Sequence, residues 1–325
     1  MALRYVVTGS QGQLGRSLVR ALAGGQAGGD VLVAAFARGD LDISDATAVE
    51  GAFASWRTAP PDVLVNAAAY NQVDLCESEG AQQAERVNGL GPGLLAEACE
   101  RAGVRFVHVS TDYVLAGDAT SPVPEDATPA PRTAYGRSKL LGEERVRQAS
   151  PDALVVRTSW VFGPGKNFVG AMLRQARLRR TGEVEGPLRV VDDQRGCPTY
   201  SADLATGIRD LVAATAPGAG QGGVYHLSNA PDPDDPDAPT WWDFARAILD
   251  ARGYGDLEIL RATTADFAAP APRPAYSVLD GGRAARLGVT LPSWRDALAR
   301  YLDSPDLDVT LERSDPEAVS REATG

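Results

Sequence analysis

The chain has 325 residues, of which 44% are hydrophobic and 23% are charged, and its formal net charge is −11. This length suits two domains or one large domain with an appendage, and the composition is that of a folded protein. The acidic balance argues against a nucleic-acid partner or an anionic membrane, because such surfaces are bound through an excess of Lys and Arg.

The first half of the chain alternates strand-like and helix-like segments. Short apolar runs typical of buried strands occur at 5–7, 31–36, 63–65, 104–109 and 154–158. Helices are predicted between them, including segments from about 44 to 56 and from about 80 to 101 and one that contains Tyr135. Apolar strands that alternate with helices are typical of a parallel sheet covered on both faces. We therefore predict a doubly wound, Rossmann-type α/β domain over residues 1–160, to which later strands return.

After about residue 160 the alternation becomes irregular. This region has a basic helical segment at 172–180, a short strand at 188–191 and an acidic, proline-rich loop at 230–239, expected to be an exposed insertion. Thr240 is a predicted N-cap for a helix over 241–251, with Asp243 at the third helical position. We interpret residues 161–302 as mainly a smaller α/β substrate-binding region and the acidic residues 303–325 as a mobile tail.

A glycine-rich turn follows the first predicted strand. Gly9, Gly12 and Gly15 lie between this strand and an amphipathic helix. In that context glycines permit a tight turn and a close approach of backbone amides to a pyrophosphate, and the helix N-terminus adds a positive dipole end. The turn therefore predicts dinucleotide binding.

Residues after the second and third strands extend the predicted cofactor site. Arg38 favours NADPH, because an arginine there can meet the 2′-phosphate, although use of NADH stays open. Asp42 and Ile43 are placed beside the adenine. The run Asn66-Ala67-Ala68 follows the third strand, where small residues let the cofactor lie against the carboxyl edge of the sheet.

Tyr135 and Lys139 are four residues apart, so on a helix they lie one above the other on one face. Alone, this spacing is a weak indication, because a surface tyrosine beside a solvated lysine is common. Thr111, however, follows the fourth strand at the same sheet edge and can hydrogen-bond a substrate carbonyl. We expect the Lys139 ammonium to lower the pKa of Tyr135, so that Tyr135 protonates the carbonyl oxygen while a nicotinamide delivers hydride. The three residues together predict a carbonyl reductase.

The cysteines and histidines have no spacing typical of a metal centre. Cys76, Cys99 and Cys197 are scattered, and the two histidines, His108 and His226, are too few for a His-rich site. The N-terminus leads directly into a strand without a secretory leader, and no apolar run is long enough to span a bilayer. We therefore expect a cytoplasmic, reduced protein whose site contains no metal, and the sequence leaves a structural Mg²⁺ open.

Motifs over nearly all of the chain up to about residue 300 resemble those of the dTDP-4-dehydrorhamnose reductases and related 4-keto-sugar reductases, a group of extended short-chain dehydrogenase/reductases. The motifs include Thr8-Gly-Ser-Gln-Gly-Gln-Leu-Gly15, Asn66-Ala-Ala-Ala-Tyr70, Ser110-Thr-Asp-Tyr-Val114, Tyr135-Gly-Arg-Ser-Lys139, Arg157-Thr-Ser-Trp-Val161, Asp193-Gln-Arg-Gly-Cys-Pro-Thr199 and Arg273-Pro-Ala-Tyr-Ser277. Several of them lie in the irregular half, where the general features of a Rossmann fold would not require them.

The resemblance implies roles for individual residues. Thr111, Tyr135 and Lys139 match the catalytic triad of the family. Its cofactor-binding stretches match Gly9, Gln11, Gly12, Leu14, Gly15 and Asn66, with Tyr135 and Lys139 also beside the cofactor. Candidates for the nucleotide-sugar pocket are Val73, Thr111, Asp112, Trp160, Asn167, Phe168, Gln194, Thr199 and Arg273. Trp160 is expected to stack on the sugar, Asn167 to hydrogen-bond it and Arg273 to pair with the diphosphate.

Two stretches depart from the pattern of the family. Leu75-Cys76 stands where members often carry Lys-Ala, and Leu115 stands where they often carry Phe. Because the first change lies beside the sugar pocket in the family, the sequence leaves open which dTDP-4-keto-6-deoxyhexose is reduced. The configuration of the product at C4 and the oligomeric state also stay open, and a homodimer is one alternative.

Two other functions remain as alternatives. Nucleotide-sugar epimerases and 4,6-dehydratases share the fold, but the dehydratases carry Thr-Asp-Glu where this chain has Thr111-Asp112-Tyr113, which favours simple reduction. A non-catalytic NADP-binding subunit is the second alternative, since a regulatory subunit of methionine adenosyltransferase is similar to these reductases. The intact Thr111, Tyr135 and Lys139 argue against it.

Overall fold

The structure is a computed structural model, and it describes residues 2–23, 29–235 and 237–314. The strands are β1 Arg4–Thr8, β2 Val31–Phe36, β3 Val63–Asn66, β4 Arg105–Thr111, β5 Leu154–Thr158, β6 Val161–Phe162, β7 Leu188–Val191, β8 Thr199–Tyr200, β9 Gly223–His226 and β10 Ile259–Ala262. The α-helices are α1 Gln13–Ala23, α2 Ala46–Ser55, α3 Ala81–Ala84, α4 Gly91–Ala102, α5 Ala134–Ala149, α6 Phe168–Arg180, α7 Ser201–Ala214, α8 Trp241–Ala251, α9 Gly282–Ala285, α10 Trp294–Leu302 and α11 Pro305–Ser314. A π-helical segment, Glu85–Leu90, joins α3 to α4. None of the described helices is both long and apolar enough to cross a membrane.

Six parallel strands form the central sheet, in the order β2-β1-β3-β4-β5-β9. The strand β9 comes from the second half of the chain and forms one edge of the sheet. The direction of winding reverses between β1 and β3, and in such sheets ligands bind outside the carboxyl ends of the strands at that point. The predicted doubly wound, Rossmann-type α/β fold is confirmed.

Both faces of the sheet are covered by helices. Val63 and Val65 of β3 point into a core that also contains Leu18 of α1 and Ile208 of α7. The intervening Leu64 points into the opposite core, which is shared with α4 and α5. Because each successive side chain of β3 meets a helix layer, this strand is a continuous apolar run rather than an alternating one.

A smaller lobe packs beside the sheet around its own aromatic core. Phe162, Phe244, Trp294 and Tyr301 meet there, and two short parallel pairs, β7 with β10 and β6 with β8, contribute side chains to this core. The helix α8 begins as predicted. The Thr240 hydroxyl accepts a hydrogen bond from the amide of Asp243, whose carboxylate accepts one from the Thr240 amide.

The acidic loop before α8 is exposed in only part of its length. Asp234 and Asp235 are exposed, whereas Ala238 and Pro239 are buried as the chain enters the helix, and Pro236 lies outside the described residues.

The predicted tail from residue 303 differs from the structure in its first part. Residues 305–314 form α11, which packs against the smaller lobe. The buried Asp306 accepts a hydrogen bond from the Tyr200 hydroxyl at 2.7 Å and pairs with Arg20, and the Thr310 and Tyr301 hydroxyls are 2.6 Å apart. Composition alone did not reveal this helix, because besides Leu307 its buried groups are polar and are satisfied by distant partners. Residues 315–325 lie outside the described residues.

Candidate active site

The glycine-rich turn connects β1 to α1 at the carboxyl edge of the sheet. Gly9 has a φ of +73°, and a Cβ atom there would lie 2.5 Å from the amide nitrogen of Ala68. A Cβ atom on Gly15 would lie 2.0 Å from the Gly9 carbonyl oxygen. Gly9 therefore lets the turn pack on the loop after β3, and Gly15 lets α1 pack on the turn, with the helix N-terminus directed at this edge.

Asn66 ends β3 and ties that strand to β1. It is fully buried, and its Oδ1 accepts hydrogen bonds from the Thr8 hydroxyl at 2.7 Å and from the Ala68 amide at 3.1 Å. The residue thereby fixes the loop that carries Ala67 and Ala68.

Asn88, on the π-helical segment, is a positioning residue that the sequence did not reveal. Its Oδ1 accepts from the Tyr70 amide at 2.8 Å, and its Nδ2 donates to the Tyr70 carbonyl at 2.9 Å and to the Ser138 hydroxyl at 3.0 Å. Asn88 thus holds the loop after β3 against α5. A helical pattern gives no signal for this contact, because the π turn shifts the register locally, although such turns often lie at functional sites.

Tyr135 and Lys139 lie one turn apart on the buried face of α5. The helix begins at Ala134 because the Thr133 hydroxyl caps it, accepting a hydrogen bond from the Gly136 amide at 2.9 Å. Only 9% of Tyr135 and 1% of Lys139 are exposed. The pair therefore faces the sheet, unlike the surface pairs that this spacing usually represents.

The Tyr135 hydroxyl is a weak acid in this structure. Burial, followed by the nearby Asp112 carboxylate, raises its pKa above the usual value, and a hydrogen bond with Thr111 acts in the opposite direction. The prediction that this pKa is lowered is wrong, because burial outweighs the hydrogen bond with Thr111, which favours the phenolate. The phenol therefore stays protonated at neutral pH.

Lys139 is held against the backbone of β4. Its Nζ donates to the Val109 carbonyl oxygen at 2.7 Å. Burial lowers the pKa of Lys139 to about 8, and the Glu143 carboxylate acts in the opposite direction. Glu143 is itself paired with Arg157 at 2.7 Å, with 2% of each side chain exposed. Lys139 can therefore exchange a proton near neutral pH.

Thr111 is the last residue of β4, and Asp112 follows it directly. The Thr111 hydroxyl donates to Asp112 Oδ1 at 2.8 Å and accepts from the Tyr113 amide at 3.3 Å. Burial raises the pKa of Asp112 to about 6. The Tyr113 ring meets the Tyr135 ring edge-on, with the ring centroids 5.5 Å apart. These contacts place a hydroxyl and a weakly acidic carboxyl group beside the phenol.

One cleft of about 730 Å³ joins these groups to the glycine turn. Its size and its position at the sheet edge are typical of a ligand site. The predicted site residues that line it are Gly9, Gln11, Gly12, Leu14, Arg38, Asp42, Ile43, Ala67, Ala68, Val73, Thr111, Asp112, Tyr135, Lys139, Trp160, Gln194 and Arg273. The predicted residues that do not line it are Gly15, Asn66, Asn167, Phe168 and Thr199.

Two arginines lie near Asp42, which lines the cleft beyond the glycine turn. Asp42 accepts hydrogen bonds from the Ser44 amide and hydroxyl, which lower its pKa. Arg86 lies 3.8 Å from Asp42 and donates to the Ser44 hydroxyl at 3.2 Å, and Arg38 lines the same end. The sequence pointed to Arg38 but not to Arg86, whose position on a distant helix gave no local signal.

Stacked indole rings form a wall at the opposite end. The centroids of Trp160 and Trp241 are 3.6 Å apart and their planes are 8° from parallel. The φ of Trp160 is +49°, an uncommon conformation outside glycine. The Trp241 indole nitrogen donates to Gln194 Oε1 at 3.1 Å, and Phe168 packs on Trp241 with its ring centroid 4.6 Å away. The sequence predicted Trp241 only as the start of a helix, because folding alone brings it to Trp160.

Asn167 and Thr199 have structural positions instead of the predicted places in the sugar pocket. Asn167 caps α6 by accepting from the Gly170 amide at 3.1 Å, and its Nδ2 donates to the Tyr301 hydroxyl at 2.9 Å. Thr199 is fully buried and donates to the Cys197 carbonyl at 3.2 Å. Both residues shape the smaller lobe from behind the cleft.

Arg273 lines the cleft with its guanidinium already engaged. Its Nη2 is 2.7 Å from Asp74 Oδ2, and Asp74 also accepts from the Ala271 amide at 3.2 Å. The hydrogen bond from Arg273 lowers the pKa of Asp74. The pair joins two loops at the rim of the cleft, so a ligand diphosphate that meets Arg273 would share it with Asp74 or displace Asp74.

The sequence as a whole matches a known family. The family described as "RmlD substrate binding domain" matches residues 3–306. A dTDP-4-dehydrorhamnose reductase of Mycobacterium tuberculosis is 40% identical over 320 residues, which cover 96% of this chain and 97% of that protein. The chain belongs to the dTDP-4-dehydrorhamnose reductase family. Membership confirms the resemblance drawn from the motifs, and with it an oxidoreductase that uses a nicotinamide cofactor.

Further relatives and solved structures support membership of this reductase family. A probable dTDP-4,6-dihydroxy-2-methyloxan-3-one 4-ketoreductase of Streptomyces antibioticus is 41% identical over 302 residues, covering 91% of this chain and 93% of that protein. The solved dTDP-4-dehydrorhamnose reductase of Bacillus anthracis, in complex with NADP, has a TM-score of 0.80 at 32% identity and covers 93% of this chain and 99% of its own.

Proposed function

We propose that this protein reduces the 4-keto group of a dTDP-4-keto-6-deoxyhexose with NADPH as the hydride donor. The observation that carries the proposal is that Thr111, Tyr135 and Lys139 line the same cleft as the glycine turn. One relative is named for dTDP-4-dehydrorhamnose and another for a different 4-keto sugar. The proposal therefore commits to the class of substrate and to reduction at C4.

The end of the cleft with the glycine turn fits a dinucleotide. The close packing of Gly9 against Ala68 leaves no room for a side chain, so backbone can approach a pyrophosphate there. Arg38 and Arg86 suit the 2′-phosphate of NADPH, because a guanidinium pairs well with phosphate oxygens. Bound there, NADPH supplies the hydride.

Tyr135 donates the proton in this proposal. Its buried hydroxyl has a raised pKa, so at neutral pH it is in the form that can protonate the substrate oxygen as hydride reaches the carbonyl carbon. The Thr111 hydroxyl orients that oxygen. Lys139, whose pKa is about 8, returns a proton to the phenolate.

The substrate lies at the opposite end of the cleft. There the sugar meets the face of the Trp160 indole, with Val73 and Gln194 beside it, and Arg273 meets the diphosphate. Tyr113 occupies the position at which dehydratases of this fold carry a glutamate, and its ring packs on Tyr135. The site therefore has an aromatic ring where dehydration would need a further acid-base group.

The test is NADPH oxidation with the 4-keto products of a dTDP-glucose 4,6-dehydratase, added with and without a 3,5-epimerase. We expect NADPH consumption with at least one of these sugars, and NMR of the product then gives the sugar and its C4 configuration. Loss of NADPH consumption in Tyr135→Phe, with NADPH binding retained, assigns the proton donor. Binding of NADPH without turnover on every sugar would favour a non-catalytic role and contradict the proposal.

A further inference from the structure

A buried chain of hydrogen bonds runs beneath Lys139 and away from the cleft. His108 Nε2 lies 3.4 Å from Lys139 Nζ, and His108 Nδ1 lies 3.1 Å from Asn66 Nδ2. His108 and Asn66 are both fully buried. The chain ends at the Thr8 hydroxyl and the Ala68 amide, which both donate to Asn66 Oδ1.

The direction of the hydrogen bonds follows from the Ala68 amide. A backbone N–H can only donate, so the Asn66 atom that it meets must be the carbonyl oxygen. The Asn66 atom that meets His108 is then the NH₂ group, also a donor, and His108 Nδ1 must accept. Burial, and then Lys139, hold the pKa of His108 well below its usual value, so the ring is neutral and its proton is on Nε2.

We propose that Asn66 fixes His108 as the Nε2–H tautomer, and that His108 is a positioning residue that presents this N–H to the amine of Lys139. A neutral amine can accept that hydrogen bond with its lone pair while it donates to the Val109 carbonyl. The protonated form of Lys139 has no lone pair, so its N–H groups and the His108 N–H would be two donors facing each other. The contact therefore favours the neutral form of Lys139.

This preference gives Lys139 its function in the cycle, and the step rests on the proposed function. After Tyr135 has given its proton to the substrate, the Lys139 ammonium transfers a proton to the phenolate. An N–H bond breaks, an O–H bond forms, and the neutral amine is stabilised by His108 until it regains a proton from water. A lysine that loses its proton easily near neutral pH is the better proton donor for this step.

Other charged groups near Lys139 act in both directions. On α5, Glu143 favours the ammonium, but its carboxylate is shared with Arg157 of β5. Asp112, after β4, and Tyr135 line the same cleft as Lys139, and the pKa of Asp112 is raised to about 6 by burial. The effect of His108 on the pKa of Lys139 depends on the tautomer of its ring, so experiments can separate it from the effects of the charged groups.

The composition makes NMR a direct test. The chain contains two histidines, His108 and His226, and two lysines, Lys139 and Lys166. With ¹⁵N-labelled histidine and ¹³C-labelled lysine, His226→Gln and Lys166→Arg assign the signals. We expect His108 to be the neutral Nε2–H tautomer throughout the neutral pH range and Lys139 to titrate with a pKa of about 8. A charged His108 or the Nδ1–H tautomer would overturn the proposal, and neither measurement needs substrate.

Asn66→Asp should reverse the tautomer of His108, and the Asp side chain has nearly the same shape as the Asn side chain. The new carboxylate has no donor, so His108 must place its proton on Nδ1 and turn an Nε2 lone pair toward Lys139. We expect the pKa of Lys139 to rise by about one unit or more, with an equal shift of the alkaline limb of the kcat profile. Thr8→Val is the matched control, because it removes one donor to Asn66 and leaves the Ala68 amide in place. The tautomer and the Lys139 pKa should then stay unchanged.

A rise of the Lys139 pKa in Asn66→Asp without the exchange of tautomer would overturn the proposal, because it would be an effect of charge alone. If Asn66→Asp does not fold, the His108 tautomer measured in the wild-type protein decides whether the proposal holds. If these NMR results hold but no 4-keto sugar is reduced, only the proposed function fails.

Discussion

The two ends of the cleft are built in different ways. Around the glycine turn, the surfaces that face the ligand are backbone and small residues such as Gly9, Ala67 and Ala68, placed by the carboxyl ends of neighbouring parallel strands. At the opposite end they are large side chains, Trp160 and Trp241, stacked across 81 positions of sequence. The first end suits a ligand common to many enzymes, whereas the second is set by tertiary contacts. Changes at the two ends should therefore affect cofactor and sugar separately.

The largest separate effect is expected from Gly9→Ala. The added Cβ would lie 2.5 Å from the Ala68 amide nitrogen, at a backbone conformation that alanine rarely adopts. We expect NADPH binding to weaken about 100-fold, which corresponds to about 3 kcal/mol of strain and displacement. Fluorescence titration with NADPH measures this. The control is Gly51→Ala, where a Cβ would meet open space and affinity should be unchanged. Equal effects of both substitutions would contradict the role of the turn.

Trp241→Ala tests the opposite end. Removing this ring leaves Trp160 without its stacking partner, so we expect KM for the nucleotide sugar to rise about tenfold, or about 1.4 kcal/mol, with NADPH affinity unchanged. Steady-state kinetics at saturating NADPH measures the change. Trp242→Ala is the matched control, since that neighbour stacks on Arg261 and does not line the cleft. If NADPH affinity fell as much as sugar affinity, the two ends would not be independent.

Arg38→Ala refines the assignment within the end that holds the glycine turn. We expect the ratio of NADPH to NADH efficiency to fall about tenfold, because one charged hydrogen bond to the 2′-phosphate is lost from an exposed position. Arg86→Ala should act in the same direction, since both guanidinium groups lie beside Asp42. An unchanged ratio in both variants would place the 2′-phosphate elsewhere.

Asp112→Asn should change the pH dependence of stability. Burial raises the pKa of Asp112 in the folded protein from 3.8 to about 6, so the folded state binds the proton more tightly than the unfolded state. This group therefore costs stability as pH rises through that window, by about 1 to 3 kcal/mol in total. The variant lacks this cost, so its free energy of unfolding should exceed that of wild type increasingly from pH 4 to about pH 6.

Denaturant unfolding over this pH range measures the difference. His226, with a pKa lowered to about 4, acts in the opposite direction in both proteins and cancels from the difference curve. A difference that stays constant with pH would contradict the raised pKa of Asp112.

Local patterns explain why the glycine turn and most of the strands and helices could be predicted. The strands at 31–36 and 154–158, the turn at Gly9 and the cap at Thr240 match the structure because each depends on neighbouring residues. The helix expected at about 80–101 is present, but with a π-helical segment inside it.

The parts of the site that could not be predicted from the sequence depend on contacts between residues that are far apart in the chain. The stacking of Trp160 on Trp241, the clamp formed by Asn88 and the link from His108 to Lys139 each join separate elements. The error on the Tyr135 pKa has the same origin. The spacing of Tyr135 and Lys139 was visible, but the burial that outweighs it depends on the whole fold.

The most direct test of the central claim is the rate of hydride transfer in a single turnover, with NADPH-loaded protein mixed rapidly with a 4-keto sugar that the wild type reduces. If Tyr135 is the proton donor, Tyr135→Phe should bind NADPH with unchanged affinity and oxidise it about 100- to 10,000-fold more slowly. A Tyr135→Phe variant that oxidises NADPH at the wild-type rate would contradict the account.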